Sequence, residues 1–201
     1  MGALTLPAQV TSIVYDDALQ NGWSDWSWSS TRDFSNANPV HSGTKSIAVT
    51  LTGSYAALSL GNYQPVDMTV YTNLSFWING GASGGQLLQV FVEAPLGTAH
   101  THVALTALTA NTWTHVDVSS TALGVANVAT LGRIYLQDRA GVASDPTFYV
   151  DDIQFQGIPQ APITNVVAAI SVNCWSNRHA ISPLVYGTAF ATSNPQADVI
   201  L

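Results

Sequence analysis

Charge is scarce in this sequence. Only 8% of its 201 residues are Asp, Glu, Lys or Arg, against roughly 25% in an ordinary globular domain. Basic residues are the rarest, with five Lys plus Arg against twelve Asp plus Glu and a formal net charge of -7. No basic stretch exists to neutralise a phosphate backbone, which excludes nucleic acid as a partner. Lys45 is the only lysine and Glu93 the only glutamate. A sandwich acting as a lyase or hydrolase would need a basic or paired-carboxylate constellation that these residues do not supply.

Cysteine is equally sparse. Cys174 stands alone, which excludes an intrachain disulfide framework and a cysteine-based zinc cluster. No apolar run approaches the length of a membrane-spanning helix, so no membrane partner is expected. The opening residues Met1 to Pro7 lack the basic and apolar regions of a secretory signal. The expectation is a secreted, extracellular protein whose export signal, if it had one, has been removed.

What the sequence has in abundance is strand pattern. Short segments rich in Val, Ile, Thr, Tyr, Phe and Trp alternate apolar with polar residues and are separated by Gly, Asn, Ser and Pro. Ten candidate strands follow: 11–16, 25–30, 45–51, 55–60, 73–79, 86–93, 102–108, 113–118, 132–138 and 147–155. So many strands in one domain predict an all-β, two-sheet antiparallel β-sandwich of jelly-roll type, because open edges would invite aggregation. The segment Gly157-Ile158-Pro159-Gln160-Ala161-Pro162 breaks the pattern. The boundaries expected are a module at 1–157, a linker at 158–165 and the start of a second domain at 166–201.

Alternation also assigns faces. With Leu74, Phe76 and Ile78 inward, Trp77 lies outward beside Asn79. With Leu88, Val90 and Val92 inward, Phe91 lies outward between Gln89 and Glu93. With Ile134 and Leu136 inward, Tyr135 lies outward between Arg133 and Gln137. An aromatic ring framed by planar hydrogen-bonding groups suits a sugar, whose C–H face packs on the ring while its hydroxyls find donors and acceptors. Taking base-on-ring stacking of about 1–3 kcal/mol as a guide, three such rings imply micromolar to millimolar affinity for a neutral saccharide. Trp23, Trp26 and Trp28 are expected to wedge between the sheets, with Trp26 and Trp28 as reserve binding candidates.

Acidic residues gather near the two ends of the module, as Asp16-Asp17 and Asp151-Asp152. If the first and last strands are neighbours, a structural calcium there would relieve four repelling charges. Two other signals are discounted. The Gly81-Ala82-Ser83-Gly84-Gly85 run matches a nucleophile elbow, yet it precedes a strand where that motif requires a helix. His100, His102 and His115 are read as solvated rather than zinc-binding.

The segments Val14-Tyr15-Asp16-Asp17, Gly22-Trp23, His41-Ser42-Gly43-Thr44-Lys45-Ser46-Ile47, Phe76-Trp77-Ile78-Asn79-Gly80-Gly81 and Phe148-Tyr149-Val150-Asp151-Asp152-Ile153 together resemble the β-jelly-roll carbohydrate-binding modules appended to bacterial polysaccharide hydrolases. The resemblance covers residues 11 to 157. It implies a calcium held by Asp16 or Asp17, the Lys45 carbonyl and Asp151 or Asp152. Farther on, Ile170-Ser171-Val172-Asn173 and the run Arg178-His179-Ala180-Ile181-Ser182-Pro183-Leu184-Val185-Tyr186-Gly187-Thr188-Ala189-Phe190 resemble the opening of glycoside hydrolase family 44, endoglucanases and xyloglucanases. An Ile-Ser-Pro followed by Tyr-Gly also opens arabinofuranosidase-type families. The catalytic glutamates of such an enzyme lie downstream of this chain, so no hydrolase activity is expected of it. The function expected is that of a noncatalytic module, monomeric and tethered to a catalytic domain, binding β-linked plant cell-wall glucans such as β-glucan, xyloglucan and cellulose-type chains.

Overall fold

The structure is a computed structural model that describes residues 9–158, which fall within one unit, Met1–Pro162. The segment expected to open a hydrolase domain at 166–201, and all but Ile158 of the expected linker, lie outside the described residues. Twelve strands and no helix make up the described part: β1 (Thr11–Asp16), β2 (Ala18–Leu19), β3 (Ser24–Asp25), β4 (Ser30–Asn36), β5 (Ser46–Leu51), β6 (Ala57–Val66), β7 (Tyr71–Asn79), β8 (Leu88–Glu93), β9 (Val103–Ala104), β10 (Trp113–Ser119), β11 (Leu131–Asp138) and β12 (Phe148–Gly157).

They form two antiparallel sheets. In the seven-stranded sheet β10, β7 and β12 lie side by side. The far edge of β12 is shared, its first half by β5 and then β4, its second half by β1 and then β2. The five-stranded sheet runs β3-β6-β11-β8-β9. The all-β sandwich read from alternation is therefore the fold, and β1 and β12 are neighbours.

The core lies between the sheets. Leu74, Phe76 and Ile78 of β7 meet Leu58, Leu60, Leu88, Val90, Val92, Ile134 and Leu136 of the other sheet, all buried. Phe148, Val150 and Phe155 of β12 complete the layer with no exposed surface. Burying each of these side chains contributes about 1.5–3 kcal/mol. The inward assignments made from alternation hold for β7, β8 and β11, since a strand cannot slip by one residue without turning its apolar set to water.

Several segments differ from the pattern expected, among them the short β2 and the extension of β6 to Val66. Strand β4 was not anticipated, because its residues STRDFSN carry one large apolar side chain and alternate only between half-buried and exposed. The expected strand at 25–30 is instead a strap: after β3, Trp26 N–H donates to the Ser59 carbonyl (2.9 Å) and Trp28 forms an isolated bridge with Ala57. The expected strand at 102–108 shortens to β9.

Candidate functional site

The strap sets the position of two indoles. Trp23 is buried at 5% exposure and tilts against Phe155 in the core, as expected. Trp26 and Trp28 are not wedged between the sheets: they lie on the outer face of the five-stranded sheet. Gly61 of β6 explains where Trp26 sits, since any Cβ there would overlap the Trp26 ring. Asp25 fixes the strap from behind. Its Oδ1 accepts Ser27 N–H (3.0 Å) and Ser27 O–H (2.6 Å), and its Oδ2 accepts Nε and a terminal nitrogen of Arg32 (2.9 and 2.7 Å). Burial alone would raise the Asp25 carboxyl, but these donors outweigh it and hold it below its usual range.

On the same face, cross-strand pairing brings β11, β6 and β8 into register, with Tyr135 opposite both Ser59 and Phe91, and Arg133 opposite Gly61 and Glu93. The Arg133 guanidinium carbon lies 4.6 Å from the Tyr135 ring centre, 5.4 Å from Trp26 and 5.7 Å from Trp28. Its Nε donates to Ser59 Oγ (2.7 Å) and one terminal nitrogen to the Trp26 carbonyl (3.1 Å). Trp28 meets Tyr135 edge-on at 5.7 Å, and Tyr63 packs against Trp26 at 4.7 Å. Trp28 is 36% exposed and Tyr63 81%.

Phe91 and Tyr135 are not the open platforms that alternation suggested. They face outward, yet only 6% and 4% of their surface is exposed. Their rings stand parallel at 4.2 Å and 6°, with His102 stacked on Phe91 at 4.0 Å. Rings on neighbouring strands are close enough to cover each other's faces, so this pair supports the platform beneath Trp28. The Tyr135 hydroxyl donates to Glu93 Oε1, whose other oxygen accepts Gly97 N–H (2.9 Å). Burial first, then this bond, push the Tyr135 phenol up. Gln89 Nε2 donates to Gln137 Oε1 at 2.7 Å. Glu93, Gln89 and Gln137 therefore spend much of their capacity on neighbours.

Trp77 and Asn79 belong elsewhere. Both lie on β7, so Trp77 is on the opposite sheet from Phe91 and Tyr135, and the three rings expected to bind a saccharide do not share a face. Trp77 is half-buried beneath His41, which stacks on it at 3.8 Å and 15°, with His115 tilted at 4.9 Å. Asn79 is buried at 3% exposure, its Oδ1 accepting Gly81 N–H (2.9 Å) to turn the chain. His102, stacked on Phe91 of β8, and His115 of β10 lie against different sheets.

The four terminal acids and the 41–45 loop do meet. Asp17 Oδ1 accepts the Thr44 and Lys45 amides (both 2.7 Å), and Asp17 adopts φ 56°. Asp151, with no exposed surface, accepts the His41 amide (2.9 Å). Asp152 accepts His41 Nδ1–H and Ser42 O–H, both at 2.6 Å. Asp16 is exposed at the end of β1. Three of the four carboxylates accept N–H and O–H donors of the 41–45 loop. The corner is a hydrogen-bonded clasp.

Sequence reasoning missed Tyr63 and His102. Tyr63 carried a signal, since alternation continues from Gly61 through Tyr63 past the point where the expected strand ended. Which sheet each strand joins had no local signal at all.

No family model matches the chain. It is 31% identical over 149 residues to an endoglucanase of Dictyostelium discoideum, a match covering 70% of this chain and 20% of that protein. The chain thus spans about a fifth of that curated relative. A family 11 carbohydrate-binding module from Clostridium thermocellum, solved with a β-1,3-1,4-mixed-linked tetrasaccharide, superposes with a TM-score of 0.55 at 13% identity, covering 75% of this chain and 98% of that one. A family 29 module from Piromyces equi gives 0.50 at 16% identity, over 75% and 91%. Tandem family 22 modules from Paenibacillus barcinonensis give 0.53 at 14%, over 84% and 50%. The chain has the fold of carbohydrate-binding modules.

Proposed function

We propose that residues 9–158 form a noncatalytic module that binds β-linked plant cell-wall glucans on the outer face of the five-stranded sheet and directs an attached endoglucanase to its substrate. The observation that carries this is the placement of Trp26, Trp28 and Tyr63 as outward rings around Arg133. Pyranose C–H faces pack on the indoles, and the guanidinium N–H groups left unused by Ser59 and Trp26 meet hydroxyls. The endoglucanase relative and the module bound to a mixed-linked tetrasaccharide support the substrate class. Tethering raises the local concentration of cleavable chain at the enzyme. The protein works outside the cell, as a monomer joined to its catalytic domain.

A structural spacer would cover its aromatic face. Phe91 and Tyr135 are indeed covered, but by groups of the same face, and the rings of Trp28 and Tyr63 stay exposed.

Affinity electrophoresis of the full chain through native gels containing xyloglucan, mixed-linkage β-glucan, glucomannan or xylan tests this directly. Retardation by a β-glucan that Trp28→Ala abolishes and Trp77→Ala leaves intact is the expected result. Free migration in every gel refutes it in favour of the spacer.

A further inference from the structure

Among the described residues, Arg133 is a cation without an ion-pair partner. The two ion pairs found there join Arg32 to Asp25 and His41 to Asp152. The acid placed to meet Arg133 is turned away. Glu93 stands directly opposite it across β8 and β11, yet Glu93 Oε1 accepts the Tyr135 hydroxyl and Oε2 the Gly97 amide (2.9 Å). Burial, and then the bond to Glu93, keep the Tyr135 phenol protonated, so that ring brings no negative charge to the guanidinium either.

The hydrogen bonds that Arg133 does make go to neutral acceptors. Of a guanidinium's five N–H groups, the one on Nε goes to Ser59 Oγ (2.7 Å) and one on a terminal nitrogen to the Trp26 carbonyl (3.1 Å). The other terminal nitrogen makes no hydrogen bond among the described residues. Parallel N–H groups on the two terminal nitrogens are the fork that takes a carboxylate in two hydrogen bonds at once.

The surroundings favour such a contact. Arg133 is half-buried, with the ring centres of Tyr135, Trp26 and Trp28 at 4.6, 5.4 and 5.7 Å, so its charge is screened less than on open surface. A hydroxyl of a neutral chain takes one N–H, whereas a carboxylate takes two and neutralises the cation. The protein's net charge of -7 works against a chain that is acidic at every unit. The complementary ligand is a largely neutral chain with an occasional acid.

We propose that Arg133 receives the carboxylate of a uronic acid unit carried by the bound β-glucan, and so selects sparsely acidic chains over neutral ones. This rests on the glucan reading of the face and adds the group that the face selects.

The test is isothermal titration of the full chain with a mixed-linkage β-glucan and with the same polymer sparsely oxidised at C6, which turns occasional glucose units into glucuronate. The wild type should bind the oxidised polymer about tenfold more tightly, and added salt should shrink that ratio. Arg133→Gln should bind the two polymers alike, whatever their common affinity. Arg133→Lys keeps the charge without the paired N–H groups; it should lose most of the preference, and it decides the matter if Arg133→Gln fails to fold. Equal wild-type affinity for both polymers overturns the proposal and leaves the glucan reading standing. A preference that survives in Arg133→Gln, or in full in Arg133→Lys, also overturns it. An equal gain from a sparsely sulfated glucan overturns the choice of a carboxylate. Binding of neither polymer removes the glucan reading itself, and the proposal with it.

Discussion

Arg133 and Tyr135 lie two residues apart on β11, and the guanidinium of the first rests 4.6 Å from the ring centre of the second. Along a strand such neighbours share a face, and Ser59 and the Trp26 carbonyl hold the cation in place. The outcome is a charged plate enclosed by rings, with the strap indoles at its margin.

Trp28→Ala and Trp26→Ala should each weaken glucan binding roughly 5- to 150-fold, the range of about 1–3 kcal/mol for one stacking platform. Isothermal titration with a soluble β-glucan measures this. Wild-type affinity in both variants would move the site off the strap.

Gly61→Ala offers a way to displace Trp26 without deleting it. The added methyl occupies the space of the indole, so the ring must swing off the sheet. Binding should fall as far as in Trp26→Ala while the variant stays folded by circular dichroism. Unchanged binding would show that Trp26 contributes nothing at that position.

Asp25 makes the strap acid-sensitive. Its folded carboxyl sits below the unfolded value of about 3.9, so its contribution is complete above that value and is lost as pH falls through the lower folded value. Glucan retention should be level from pH 7 to about 4 and decline below. Asp25→Asn should show at pH 7 the weakened retention that the wild type shows only in acid. Wild-type retention by that variant at pH 7 would remove Asp25 from any positioning role.

Phe91→Ala should destabilise the module by about 3–5 kcal/mol, as for other buried aromatics, measured by urea unfolding. His41→Ala should lower the melting temperature by freeing the 41–45 loop from Trp77 and Asp152, yet leave glucan retention as it was. Loss of retention in His41→Ala would bring the seven-stranded face back as the binding surface.

Alternation in the sequence revealed which residues of β7, β8 and β11 turn inward, because in-and-out is a local property with period two. It could not reveal that β7 joins one sheet while β8 and β11 join the other. That partition depends on pairings such as Trp77 with His115 and Tyr135 with Phe91, 38 and 44 residues apart in sequence. Nor could it show that two outward rings would cover each other. The terminal acids were brought together as charge counting suggested, but the N–H groups that meet them belong to the 41–45 loop, whose path no local pattern specifies.

Trp23 and Trp28, five positions apart, live in different solvents: one is 5% exposed among core side chains, the other 36% exposed beside a guanidinium. Their fluorescence should separate accordingly, a blue-shifted emission from the core and a redder one from the strap. Acrylamide would reach only the second, and a bound polysaccharide would shield it. Because the chain has six tryptophans, the two signals are read as difference spectra against Trp23→Phe and Trp28→Phe.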